Sequence, residues 1–178
     1  MSRWFLILPL FAYNLLFPLS GAFGEELGWR GYALPRIQAR VSALTAAVII
    51  GLIQTAWHLP LFVSVTGAPL LPLILGYLGL GVVATWIFNN TRGSVLLVML
   101  LHASFNTNAA VFGAIYTGAD LAQMSWLLAV MWCVVAIVVV IVAGPARLSR
   151  KQNKQEEADT FTSPIRGGSW AAAQCDSQ

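Results

Sequence analysis

Five long apolar stretches make up most of the chain and limit the folds open to it. A helix of about 20 apolar residues crosses the roughly 30 Å hydrocarbon core of a bilayer. Backbone groups in lipid must find their partners within the segment, so each stretch is expected to be a helix. We therefore predict an all-α polytopic membrane bundle of about five transmembrane helices. The predicted spans are Trp4 to Leu34, Ala43 to Val63, Leu70 to Phe88, Val95 to Val111 and Met124 to Ala143.

The composition argues against a soluble fold and divides the chain in two. Hydrophobic residues make up 58% of the 178 residues and charged residues 10%, against about 25% charged in an average soluble domain. From Gly144 on the sequence becomes polar, which is typical of disorder. We predict a membrane domain over residues 1–143 and a disordered tail over residues 144–178. The net charge of +3 is small and does not indicate nucleic-acid binding.

The basic residues between the spans predict the orientation. Arg36 and Arg40 lie in the first loop and Arg92 lies in the third, whereas the second and fourth loops contain no Lys or Arg. Loops rich in Lys and Arg face the cytoplasm. We therefore expect a plasma-membrane protein with a cytoplasmic C-terminus and an external N-terminus.

The first span contains two adjacent carboxylates, Glu25 and Glu26, followed by Arg30. A charge in hydrocarbon costs several kcal/mol unless it is paired or used, so these residues indicate a functional site. On a helix Glu26 and Arg30 are i and i+4 and can pair, whereas Glu25 lies about 100° round the axis. We predict that Glu26 pairs with Arg30 and that Glu25 is left for chemistry.

Pro18, Gly21 and Gly24 interrupt the same span just before the carboxylates. Membrane helices tolerate Gly and Pro, so these residues can be without consequence. They can equally form a kink that lets water or substrate reach Glu25. The sequence leaves both interpretations open.

The two histidines of the chain, His58 and His102, both fall within predicted spans. Intramembrane histidines are usually functional. Asn106 follows His102 by one turn on the same helix face. Peptide hydrolysis needs a base, a group that orients the base or the water, and donors for the oxyanion. We predict these roles for Glu25, for His58 and for the His102/Asn106 pair, and expect Glu25 to face both histidines and Asn106.

A metal centre is an alternative use of the same residues. Glu25, His58 and His102 could bind a divalent metal such as zinc and leave a position open for water. The sequence lacks the H-E-x-x-H pattern, so such a site would be assembled from three separate helices. A metal-free glutamate mechanism is equally open.

Three motifs, in order and on separate spans, resemble those of the CPBP intramembrane proteases, also called Abi. The family includes the type II CAAX prenyl endopeptidases and bacteriocin-processing enzymes. The motifs are Glu25-Glu26-x-x-x-Arg30, Trp57-His58-Leu59-Pro60 and His102-x-x-x-Asn106, and the resemblance covers about residues 15 to 143.

The resemblance implies a helical membrane endopeptidase that acts on prenylated CAAX-type or bacteriocin/leader-type substrates. In it Glu25 and His58 activate water, His102 and Asn106 stabilise the oxyanion, and Glu26 and Arg30 shape the site. Two departures stand out. The family commonly has Phe where this chain has Gln54, and it typically has about three further helices upstream.

Two other classes of function fit a membrane bundle with buried Glu and His. A proton-coupled transporter subunit uses such residues as a proton relay, although no internal repeat suggests a transporter. A catalytically inactive immunity or scaffold protein would bind a peptide or a partner helix without cutting it. In every case membrane lipid is a partner, and the oligomeric state is open.

Overall fold

The computed structural model describes residues 3–18, 21–61, 69–151 and 154. Within these ranges four helices are long and apolar enough to cross a membrane, which confirms the all-α polytopic fold. They are α4 (Ala43–Leu61), α5 (Leu70–Asn90), α6 (Val95–Ile115) and α7 (Gly118–Ala143). The elements before them are a 3₁₀ turn (Arg3–Leu6), α1 (Ile7–Leu16), α2 (Ala22–Glu26), a π-helix (Leu27–Ala33) and α3 (Leu34–Gln38).

The first predicted span is divided into these short elements. Helix α1 contains ten residues, and Pro18 lies in a turn and Gly21 in a bend before α2 begins. A Cβ atom added at Gly24 would overlap the carbonyl group of Pro18. The span predicted over residues 4–34 is therefore not a single helix, and of the two interpretations left open for Pro18, Gly21 and Gly24 the interruption of the helix is the one observed.

The later helices extend beyond their predicted ends. Helix α6 continues to Ile115 and α7 begins at Gly118, so the connection between the spans predicted to end at Val111 and begin at Met124 shrinks to Tyr116 and Thr117. The apolar runs mark the lipid-crossing part of each helix and not its full length. The second predicted loop lies mostly at residues 62–68, outside the described residues.

Small residues let α5 pack closely between α4 and α7. A Cβ atom at Gly79 would lie 2.8 Å from the carbonyl oxygen of Trp132, and one at Gly51 would lie 3.2 Å from that of Tyr77. Backbones that approach this closely gain van der Waals contact where lipid provides no hydrophobic driving force. The packing fixes α4, which carries His58, against α5.

The elements before α4 pack against α6. Ala22 is fully buried in a cluster with Met99 and Ala103 of α6. The amide of Asn14 on α1 donates to the hydroxyl of Thr107 across 3.1 Å. These contacts bring the two glutamates at the end of α2 beside the face of α6 that carries His102.

The residues after α7 return to the start of α4. The first two N–H groups of α4, at Ala43 and Leu44, donate to the carbonyl oxygens of Ala146 and Pro145, which satisfies N–H groups that a helix start leaves unpaired. Leu148 is fully buried. Ordered packing thus continues past the predicted domain boundary at residue 143. The rest of the predicted tail, residues 155–178, lies outside the described residues.

Candidate active site

Glu26 and Arg30 form a buried ion pair where α2 meets the π-helix. The guanidinium Nη1 of Arg30 donates to Glu26 Oε1 across 2.8 Å, and both side chains are 1% exposed. The predicted pairing is confirmed. An ion pair taken this far out of water is stabilised by additional hydrogen bonds, and two further residues bond to the same two atoms, Glu26 Oε1 and Arg30 Nη1.

His102 is one of these residues, because its Nδ1 lies 2.6 Å from Glu26 Oε1. The prediction that Glu25 faces both histidines is therefore wrong for His102. Consecutive side chains on a helix point about 100° apart around its axis, so Glu25 and Glu26 meet histidines from different helices instead of sharing both.

The bond to Glu26 determines how His102 can act. A carboxylate that pairs with Arg30 accepts hydrogen bonds, so Nδ1 of His102 carries a proton. The other ring nitrogen, Nε2, is buried and has no hydrogen-bond partner among the described residues. Nε2 accepts a hydrogen bond when the ring is neutral and donates one only when both ring nitrogens are protonated. His102 is therefore not the neutral donor that the sequence suggested.

His58 stands opposite the other glutamate. Its Nδ1 lies 2.8 Å from the backbone oxygen of Gln54, and a carbonyl only accepts, so this nitrogen carries a proton. Its Nε2 lies 3.8 Å from Glu25 Oε1. The separation is too long for a direct hydrogen bond, but one water molecule can contact both atoms.

Tyr77 on α5 forms a wall of the site that sequence analysis missed. Its side chain is 4% exposed, and its ring centroid lies 5.0 Å from that of His58. Tyr77 lies in an apolar span without a motif. Only the three-dimensional contact between α4 and α5 identifies it.

Gln54 is the second residue that completes the buried ion pair. Its Oε1 accepts a hydrogen bond of 2.9 Å from Nη1 of Arg30, and the residue is 1% exposed. The one sequence signal at this position was that Gln54 stands where the resembled family commonly has Phe. The structure shows that the polar side chain serves the Arg30 network.

Asn106 lies one turn after His102 on α6 and is half-buried. Its amide makes no hydrogen bond to another described residue. Several buried atoms of the neighbouring residues likewise lack a described partner. They are Glu25 Oε2, Glu26 Oε2, Arg30 Nε, Arg30 Nη2 and His102 Nε2. Buried polar groups are usually hydrogen-bonded, so these atoms indicate places for water or substrate.

The three residues considered as metal ligands do not converge. In residues 3–18, 21–61, 69–151 and 154, no three His, Cys, Asp or Glu side chains lie close enough together to hold a metal ion. Glu25 faces His58, whereas His102 faces Glu26. The donor set in this arrangement does not fit a three-ligand zinc site.

Two comparisons show known proteins to which this chain is similar. A family model described as Rce1-like, type II CAAX prenyl endopeptidase, matches residues 4–108. The chain is 34% identical over 100 residues to a protein of Methanococcus maripaludis named CAAX prenyl protease 2. That match covers 51% of this chain and 37% of the relative, so the chain spans little more than a third of its relative's length. No solved structure matches the chain.

Proposed function

Because the chain belongs to the Rce1-like type II CAAX prenyl endopeptidase family, we propose that it is an intramembrane endopeptidase acting on prenylated CAAX-type peptides. The observation that carries the proposal is the 3.8 Å separation of Glu25 Oε1 from His58 Nε2. The chain is an integral membrane protein, and four helices among its described residues are long and apolar enough to cross a membrane. A plasma-membrane location and a cytoplasmic C-terminus remain part of the proposal.

The first step is activation of water between Glu25 and His58. A water in this gap donates one hydrogen bond to the Glu25 carboxylate and the other to Nε2 of His58, which is the acceptor nitrogen of the neutral ring. Its oxygen then attacks the carbonyl carbon of the scissile peptide bond while Glu25 takes the proton. The carbon–oxygen bond that forms leaves a negative charge on the former carbonyl oxygen.

The second step is collapse of this tetrahedral intermediate. The amide of Asn106 donates to the oxyanion, and His102 adds a donor at Nε2 when its ring is doubly protonated. The carbon–nitrogen bond breaks, and Glu25 passes its proton to the leaving amine. The products are a peptide carboxylate and a free amino terminus, and no step runs through a metal.

Glu26 and Arg30 have supporting roles in this scheme. Glu26 holds His102 in one orientation through Nδ1, and Arg30 neutralises the buried carboxylate. Glu25 and Glu26 therefore have different roles in this scheme, although they are adjacent in sequence.

Cleavage of defined peptides tests the proposed substrate class. Purified protein in liposomes is incubated with a prenylated CAAX peptide, its unprenylated counterpart and a leader-bearing bacteriocin precursor, and the products are identified by mass spectrometry. We expect cleavage of the prenylated peptide alone. Cleavage of the leader peptide alone would reassign the substrate, and no cleavage of any peptide would favour a scaffold or a proton-coupled transporter.

A further inference from the structure

Gln54 makes hydrogen bonds in two directions at the centre of the site. Its side-chain Oε1 accepts from Nη1 of Arg30 at 2.9 Å, and its backbone oxygen accepts from Nδ1 of His58 at 2.8 Å. We propose that Gln54 is a positioning residue that sets the separation of His58 from Glu25. This inference rests on the proposed function, in which these two side chains share the attacking water.

The positioning works because one guanidinium nitrogen connects both sides of the site. Nη1 of Arg30 donates to Glu26 Oε1 as well as to Gln54 Oε1. Glu26 is the chain neighbour of Glu25, so Arg30 holds the turn of α4 that carries Gln54 and His58 at a fixed distance from the end of α2. The same turn fixes His58 through the backbone oxygen of Gln54.

Burial makes this connection hard to replace. Gln54 and Arg30 are each 1% exposed, so bulk water cannot take over the bond if the glutamine oxygen is removed. A hydrogen bond to a charged group is stronger than a neutral one, and leaving its buried donor unsatisfied is costly. The turn of α4 is then expected to shift, and a shift of about 1 Å at reacting groups can lower a rate by about 10²-fold.

A purely structural Gln54 would behave differently. Its loss would lower the stability of the bundle and leave the turnover number of the folded enzyme unchanged. A positioning residue changes kcat in folded protein, with a smaller effect on KM, because substrate binding does not use the Glu25–His58 gap. Separate measurement of kcat, KM and the unfolding midpoint distinguishes the two roles.

Three substitutions at residue 54 and one control make the test. Gln54→Met removes the hydrogen-bond acceptor at nearly constant side-chain shape. Gln54→Asn keeps an amide, but its side chain is one methylene group shorter, so the amide lies farther from Arg30. Gln54→Glu keeps an acceptor at the original reach. The matched control is Thr85→Val on α5, which removes a fully buried hydroxyl that bonds within its own helix.

Cleavage of the prenylated peptide is followed for all variants. We expect Gln54→Met and Gln54→Asn to lose about tenfold or more in kcat, with KM changed by less than about threefold. Gln54→Glu and Thr85→Val should stay within about threefold of wild-type kcat. If Gln54→Met does not fold, the Asn and Glu variants decide the question.

Wild-type kcat in Gln54→Asn, or an equal loss of kcat in Gln54→Asn and Gln54→Glu, would overturn the positioning role. In either case an active wild type and an inactive Glu25→Gln variant would leave the proposed function intact. If the wild type cleaves no peptide, the proposed function itself fails.

Discussion

His102 and Glu26 are joined by a hydrogen bond of 2.6 Å between Nδ1 and Oε1. The same carboxylate oxygen accepts from Nη1 of Arg30, so one buried atom serves a histidine and an arginine from different elements. Glu25, one residue earlier, stands 3.8 Å from His58. Each glutamate thus has its own histidine, and the two carboxylates are suited to different tasks.

Glu26→Gln is expected to destabilise the protein strongly. The substitution removes the negative charge that compensates buried Arg30, and breaking a buried pair in this way costs about 3–5 kcal/mol. The measurement is thermal unfolding in detergent, with Glu25→Gln as the matched control because Glu25 pairs with no arginine in the described structure. Equal unfolding midpoints for the two variants would contradict the structural role of Glu26.

Asn106→Ala is expected to lower kcat by about 10²-fold to 10³-fold, the usual cost of losing one oxyanion donor. The side chain makes no hydrogen bond to a described residue, so the unfolding midpoint should stay near that of the wild type. Asn108→Ala is the control, because Asn108 is exposed on the same helix. Equal kcat values for Asn106→Ala and Asn108→Ala would remove Asn106 from the oxyanion site.

The neutral ring of His58 is expected to carry its proton on Nδ1, because this nitrogen faces the backbone oxygen of Gln54. Protein labelled with ¹⁵N-histidine gives signals from only two rings, and a His102→Gln variant assigns them. Nitrogen chemical shifts distinguish the two tautomers. A His58 ring protonated on Nε2 would rule out the water contact proposed for that atom.

Chelator treatment is expected to leave cleavage unchanged, since water activation by Glu25 and His58 requires no metal. The assay compares the rates of untreated and chelator-treated protein, together with metal analysis of the purified sample. Loss of activity that zinc restores would show that a metal takes part and would require a different arrangement of Glu25, His58 and His102.

The sequence predicts the helical bundle and part of the site. Glu26 and Arg30 pair because an i, i+4 spacing brings their side chains together even where the following turn is π-helical. His58 was expected beside Glu25 and lies there. These relationships follow from local spacing and from the cost of a charge in lipid.

The partner of His102 could not be predicted in the same way. A single span was predicted over residues 4–34, whereas α1 ends at Leu16 and α2 begins at Ala22, and the packing of α2 against α6 brings Glu26 to His102. Gln54 and Tyr77 reach the site only through packing between helices. Neither contact has a spacing signature in the sequence.

The hydrolysis rate of Glu25→Gln protein decides whether Glu25 is the base. Folded variant and wild type are compared on the same prenylated CAAX peptide, with unfolding midpoints measured in parallel. We predict a loss of about 10²-fold to 10⁴-fold in kcat, with a midpoint close to that of the wild type. A Glu25→Gln enzyme that turns over at the wild-type rate would contradict the assignment of Glu25.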